Sequence, residues 1–132
     1  MANTVTPFLM FEGSAEEAMT LYASTFSGCQ VDEIDYYGAG ELGREGTVKQ
    51  ATLIVGGLTI MCTDSPIPHD FSFTPSMSLF VDCTSDTELE QAFEQLSAGG
   101  EVLMPLDDYG FSQRFGWVND RFGVSWQLNL AK

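Results

Sequence analysis

Two periodicities share this chain. Over most of its length apolar and polar residues alternate, and in two stretches the spacing lengthens to three and four. Val124–Leu130 shows the alternation most cleanly: Val124, Trp126, Leu128 and Leu130 are apolar, while Ser125, Gln127 and Asn129 are polar. Such a run predicts a strand with one buried face and one uncharged, hydrogen-bonding face. Phe115–Asn119 predicts the strand before it. Asp120-Arg121-Phe122-Gly123 predicts the turn between them, with Gly123 at positive φ. Further strands are predicted over Thr6–Phe11, Gln30–Tyr37, Thr47–Val55, Leu58–Thr63, Ser76–Cys83 and Glu101–Met104, with Gly56-Gly57 as a hairpin turn. Pro105–Ser112 is predicted as a loop. Each helical stretch opens on a capping box, Ser14-x-x-Glu17 and Ser85-x-x-Glu88. The first helix is predicted from about Ala15 to Phe26, with Ala18, Leu21, Tyr22 and Thr25 or Phe26 as its buried stripe. The second is predicted to reach about Ala98, burying Leu89, Ala92, Phe93 and Leu96. Gly28 and Gly99-Gly100 terminate them.

The two halves match. Ser14, Glu17, Tyr22 and Gly28 recur 71 positions later as Ser85, Glu88, Phe93 and Gly99, and Leu58–Thr63 recurs 66 positions later as Val124–Asn129. Each half reads β-α-β-β-β, which is one supersecondary module used twice. The expected organisation is a single domain over 1–132, with modules at 4–63 and 76–130. The connector 64–75 contains Pro66, Pro68 and Pro75 and is expected to be irregular. Gly38–Gly46 carries four glycines and is expected to be a mobile loop. It lacks the order and setting of a phosphate cradle.

Size and charge narrow the functional classes. With 132 residues, 44% of them apolar, the chain is long enough for its own core. Nineteen acidic against five basic residues give a net charge of −14. Nucleic acid and anionic membrane surfaces are therefore poor partners, since little is present to replace phosphate counterions. No apolar run approaches the ~20 residues of a membrane span. The first residues show neither a charged n-region nor an apolar h-region, so no signal peptide is expected. Cys29, Cys62 and Cys83 are odd in number and match no zinc spacing. Cys62 and Cys83 fall in strand-like runs and are expected to be small buried hydrophobes, which suits a reducing cytoplasm.

The segments TPFLMFEGSAEEAMTLY, DSPIPHDFSFTPS and PLDDYGFSQRFGWVNDRFGVSWQLNL span most of the chain. Through them, and through its tandem modules, the chain resembles the PhnB-like group of the vicinal oxygen chelate superfamily. That group is often called 3-demethylubiquinone-9 3-methyltransferase-like, and the superfamily includes glyoxalases, bleomycin-resistance proteins and extradiol dioxygenases. The resemblance implies an α+β fold of two βαβββ modules, with curved mixed sheets around a cleft, helices outside, and a homodimer. It also implies where a metal would sit: on His of each module's first strand and Glu of its last. Here the first-strand positions around Thr6–Phe8 and Ser76–Ser78 hold no His, and the last-strand positions are Met61 and Gln127. Gln is a poor divalent-metal ligand compared with a carboxylate. The expectation is therefore no metal and no cofactor, which removes glyoxalase and dioxygenase chemistry.

On that fold Ser125, Gln127 and Asn129 are expected to line the cleft together with Thr59, Met61 and Thr63. Tyr109 lies on a loop over it, beside Asp107 and Asp108, and Trp117, Tyr36 and Tyr37 are candidates to stack on a planar ligand. Small polar groups plus a methionine suit a small organic ligand with hydrogen-bonding edges and some apolar area. His69 with Asp64 and Asp70 is the one cluster with acid–base potential. Asp120 and Arg121 read as exposed turn residues. The leading expectation is thus a metal-free binder of a small molecule. A metal-independent enzyme using His69 and Asp64, and a methyltransferase in keeping with the family label, stand as alternatives.

Overall fold

The alternating stretches pair into two four-stranded mixed sheets, one in each half of the chain. The structure, a computed structural model, describes residues 3–132. The first unit, Met1–His69, contains β1 (Phe8–Phe11), α1 (Ala15–Thr25), β2 (Cys29–Tyr36), β3 (Val48–Val55) and β4 (Leu58–Asp64). Its sheet has the order β1-β4-β3-β2. β1 runs parallel to β4, and the other pairs are antiparallel. The second unit, Asp70–Lys132, repeats the plan with β5 (Leu79–Asp82), α2 (Asp86–Ser97), β6 (Glu101–Asp107), β7 (Arg114–Asn119) and β8 (Ser125–Leu130). Its order is β5-β8-β7-β6, with β5 parallel to β8. This is the α+β, βαβββ architecture expected from the alternation.

Each helix covers one face of its own sheet. α1 packs on β2, β3 and β4, and α2 on β6, β7 and β8. In the first unit Ala15, Ala18, Met19 and Tyr22 are buried, as are Ala51, Leu53, Ile60 and Cys62 of the sheet. In the second unit Leu89, Ala92 and Leu96 are buried, as are Val118, Trp126 and Leu128. Gly116 sets how closely α2 approaches: a Cβ there would lie 2.8 Å from both the Phe93 ring and Leu106 Cδ2.

The two helix starts differ, which the sequence concealed. Ser85 Oγ accepts from the Glu88 amide at 3.1 Å, and Glu88 Oε1 accepts from the Thr84 amide at 2.8 Å, so this capping box forms. Ser14 makes no side-chain cap hydrogen bond. Its place is taken from a distance by Asp64. That carboxylate accepts from the amides of Gly13 (2.8 Å) and Ala15 (3.0 Å) through Oδ1, and from Val48 (2.9 Å) through Oδ2.

Among the boundaries that depart from expectation, three bear on the site. Asp64 closes β4 rather than opening the connector. β5 begins at Leu79, three residues later than its hydrophobicity suggested. β6 continues through Pro105 to Asp107, which the proline argued against. It lies at the sheet edge, and its ladder shifts between Met104 and Asp107. A proline without an N–H is tolerated at such a place. The Gly38–Gly46 segment is knitted in: Gly46 N donates to Tyr37 O at 3.0 Å, Gly38 N to Glu41 Oε1 at 2.7 Å, and the Gly43 backbone lies against the Tyr37 ring.

Candidate functional site

The register of the second sheet decides which side chains share a face. Gly116 pairs with Leu128 and Val118 with Trp126, and Gly116 abuts α2, so these residues face the helix. The intervening residues point the other way. Across the four strands they form rows: Asp82, Asn129, Phe115 and Asp107 in one, and Phe80, Gln127, Trp117 and Met104 in the next. Ser125 and Asn119 pair in a third, with Glu101 at its end. The period-two reading of Ser125, Gln127 and Asn129 as one polar face is thus realised.

Hydrogen bonds fix most of this helix-free face. Trp117 Nε1 donates to Ser125 Oγ at 2.7 Å, and Gln127 Nε2 donates to Ser78 Oγ at 2.7 Å. Asn129 Nδ2 donates to Asp82 Oδ1 at 2.8 Å, and its Oδ1 accepts from Ser112 Oγ. Ser125 and Asn129 are buried, so they hold neighbours in place rather than meeting solvent. Gln127 is half-buried and keeps its Oε1 uncommitted, which makes it the polar group most able to meet a ligand.

Aromatic side chains border this amide row. Phe111 meets Phe115 edge-on at 5.0 Å between centroids, Tyr109 meets Phe115 at 6.1 Å, and Phe80 meets Phe115 at 6.3 Å. Tyr109 also stacks on Phe111, and its hydroxyl donates to Pro105 O at 2.6 Å. Phe115 is buried, but Phe80 is 55%, Phe111 61% and Tyr109 37% exposed. Tyr109 was legible as a loop residue with ligand potential. Phe111 carries no periodic signal in the sequence, whereas Phe80 sits on the alternation of its strand and is readable from it.

In the first unit Thr59, Met61 and Thr63 alternate with the buried Ile60 and Cys62, so they too lie on the helix-free face of their sheet. Phe8 pairs with Met61 and Met10 with Thr63. Thr63 Oγ1 donates to Lys49 O at 2.7 Å, which leaves Met61 and the exposed Thr59 as contact groups.

The proposed acid–base pair does not assemble. Asp64 is 2% exposed, and both of its oxygens are occupied by the three amides already described. His69 Nε2 bonds Ser65 Oγ at 2.7 Å, and that hydroxyl donates to Ile67 O at 3.0 Å. The arrangement stitches a turn among prolines. Far from being an exposed turn residue, Asp120 is buried and accepts from Phe122 N, Val124 N and Trp126 Nε1 at 2.9–3.0 Å. Arg121 lies 4.6 Å over the Phe122 ring. The cysteine thiols are buried: desolvation pushes Cys62 up to about 12, with the nearby Asp64 charge adding, and raises Cys29 and Cys83 to about 11.

At both helix starts the amides facing the turn are already taken by side chains. The α1 turn amides of Gly13 and Ala15 are held by Asp64, and Thr84 N at α2 is held by Glu88. The first- and last-strand positions that the resemblance assigns to a metal are likewise poor in ligands. On the helix-free faces the side-by-side residues of these strands are Phe8 with Met61, Met10 with Thr63, Phe80 with Gln127 and Asp82 with Asn129. A single carboxylate among rings, thioethers, a hydroxyl and neutral amides does not make the oxygen-rich set that a hard divalent ion needs. Among the described residues no three of His, Cys, Asp and Glu gather in a metal-holding group.

Comparison with known proteins agrees with the fold. A search of solved structures finds the PhnB protein from Bacillus cereus at 49% identity and a TM-score of 0.93, over 98% of this chain and 100% of that one. A glyoxylase/bleomycin resistance protein/dioxygenase domain from Frankia sp. EAN1pec shares the fold at 17% identity and a TM-score of 0.65, covering 100% of this chain and 99% of that one. Protein YjdN of Escherichia coli K12 is 24% identical over 97% of this chain and 95% of its own length. The model of the family described as 3-demethylubiquinone-9 3-methyltransferase matches residues 3–129. Nearly the whole chain is covered, and it belongs to that PhnB-like family, on the vicinal oxygen chelate fold.

Proposed function

We propose that this protein binds a small organic molecule on the helix-free face of its second unit, without a resident metal ion. The observation that carries the reading is the row Phe80–Gln127–Trp117–Met104, where a half-buried amide with a free acceptor lies among aromatic and thioether groups. Apolar area with a few fixed polar groups is the usual composition of a small-molecule site. Phe111 and Tyr109 extend the apolar area from the neighbouring loop. The family name does not carry methyl transfer over to this chain. Its helix starts are capped by the chain's own side chains, α1 by Asp64 and α2 by Ser85 and Glu88, and neither strand-to-helix turn resembles a nucleotide-binding glycine turn.

Screening a fragment library by amide chemical shifts of the full chain tests this. Hits are expected to converge on Phe80, Tyr109, Trp117 and Gln127, and Gln127→Leu is expected to weaken the polar ones about tenfold, the loss of one good hydrogen bond. Hits that shift only other residues would sink the proposal. The same reading includes a homodimer, supported by the family resemblance and by large exposed apolar side chains such as Phe8 and Ile67. Sedimentation equilibrium at micromolar concentration is expected to give twice the chain mass of 14.5 kDa.

A further inference from the structure

The geometry points to the charge of that ligand: an organic cation with an aromatic body. This rests on the small-molecule reading and adds a selectivity to it. The aromatic and amide centre of the second unit's helix-free face is rimmed by carboxylates. Asp82 and Asp107 close the two ends of the row that runs through Asn129 and Phe115, and Glu101 ends the row through Ser125 and Asn119. All three are exposed. Asp82 gives one oxygen to the Asn129 amide and Asp107 gives one to the Asp108 amide, so each keeps a second oxygen uncommitted.

The basic residues of this unit are placed elsewhere. Arg114 lies on the opposite face, bonded to Asp86 and Glu90 of α2 at 3.1 and 2.6 Å. Arg121 lies over Phe122, beyond the far end of β7 from Phe115. Lys132 lies closer to the aromatic border: its Nζ donates to Gly110 O at 3.3 Å on the loop that carries Tyr109 and Phe111. The face therefore combines ring faces at Phe80, Tyr109 and Phe111 with a negative rim. Ring faces attract cations through the quadrupole, and the surrounding carboxylates add to that attraction. An anionic ligand of the same shape meets repulsion from Asp82 and Asp107, which Lys132 offsets only in part. Selection of this kind works as much by rejecting the wrong charge as by attracting the right one.

Three probes of one shape separate the claims: 2-naphthylmethylammonium, 2-naphthylmethanol and 2-naphthoate, each titrated into the full chain at pH 7.4 and followed by amide shifts and by tryptophan fluorescence. The cation is expected to bind about tenfold more tightly than the alcohol, the sum of modest cation–π and exposed charge contributions. It is expected to shift Phe80, Phe111 and Gln127, and the carboxylate probe is expected not to bind. The double variant Asp82→Asn/Asp107→Asn keeps an acceptor at each position, so both local hydrogen bonds survive, and its cation preference is expected to fall below threefold. Equal binding of cation and alcohol at these residues would overturn the charge selection and leave the small-molecule site standing. If none of the probes shifts these residues, the binding face itself is wrong, and burial of that face by a second copy becomes the explanation to pursue.

Discussion

Two aspartates hold backbone geometry that no local signal announces. Asp64 accepts three amide hydrogen bonds while almost wholly buried, and a charged acceptor makes each worth more than a neutral one. Asp64→Ala is expected to cost about 3 kcal/mol, because it strands the buried amides of Ala15 and Val48 away from water and removes the part-buried bond to Gly13. Urea unfolding checks this through the shift in midpoint at constant slope. A loss under about 1 kcal/mol would show that water or Ser14 takes over the cap. The cysteines give a second residue-scale test. Unfolded thiols ionise near 9, whereas burial holds Cys62 near 12 and Cys29 and Cys83 near 11. The unfolded chain therefore releases these protons first as pH rises. The stability linked to them is intact below 9 and declines from there toward 12. At pH 8 all three thiols are expected to resist a disulfide reagent until urea is added. Rapid labelling of the folded chain would contradict their burial. The cysteines were readable because Cys62 sits inside an alternating run. Asp64 was not, because its partners lie 16 to 51 positions away, and in sequence it reads as the start of a proline-rich connector beside His69.

At the scale of an element, identical sequence signals met different tertiary surroundings. Both helices begin with Ser-x-x-Glu, yet only Ser85 caps. Ser85→Ala is expected to cost about 1 kcal/mol, and Ser14→Ala less than about 0.5 kcal/mol, the ordinary values for a working cap and an idle one. Equal losses in urea melts of the two variants would mean that Ser14 caps after all. The α2–β7 contact is expected to be harder to disturb. Gly116→Ala places a methyl against the Phe93 ring and Leu106, and overpacking of this kind costs about 1–3 kcal/mol. Strand identity and facing were legible, because a period of two fixes the face once one residue is placed. Ile60 and Trp126, matched in the repeat, are both fully buried. Strand ends were less legible. Pro105 argued for a loop, and only its position on an edge strand beside a register shift lets β6 continue to Asp107. The candidate site was read in the same uneven way: its polar row followed from alternation, while its aromatic border came together through a loop whose path no periodicity describes.

Over the whole molecule the excess of nineteen acidic over five basic residues is the dominant long-range term. Few of the cations relieve it. Lys49 pairs with Glu41 at 2.5 Å, and Arg114 is shared between Asp86 and Glu90, so many carboxylates in each unit face solvent with no such partner. These three exposed ion pairs contribute little, ~0–1 kcal/mol each, whereas mutual repulsion of the remaining charges favours expansion of the chain. Salt screens that repulsion: the Debye length falls from about 30 Å at 0.01 M to about 3 Å at 1 M. The unfolding midpoint is therefore expected to rise by several degrees between 10 mM and 500 mM NaCl at pH 7.4. Most of the gain should come below about 150 mM, where the screening length shortens through the spacing of surface charges. Sodium chloride is the right salt, since sulfate would strengthen apolar burial as well. A midpoint that stays flat would mean that compensating ion pairs form at low salt. One that falls would mean that attractive pairs outweigh the repulsion, and the acidic rim of the second unit would then have less field to offer a cation. The same titration at pH 4.5, where part of the carboxylate charge is protonated, is expected to show a weaker dependence on salt. A dependence of equal size at both pH values would remove carboxylate repulsion as its cause.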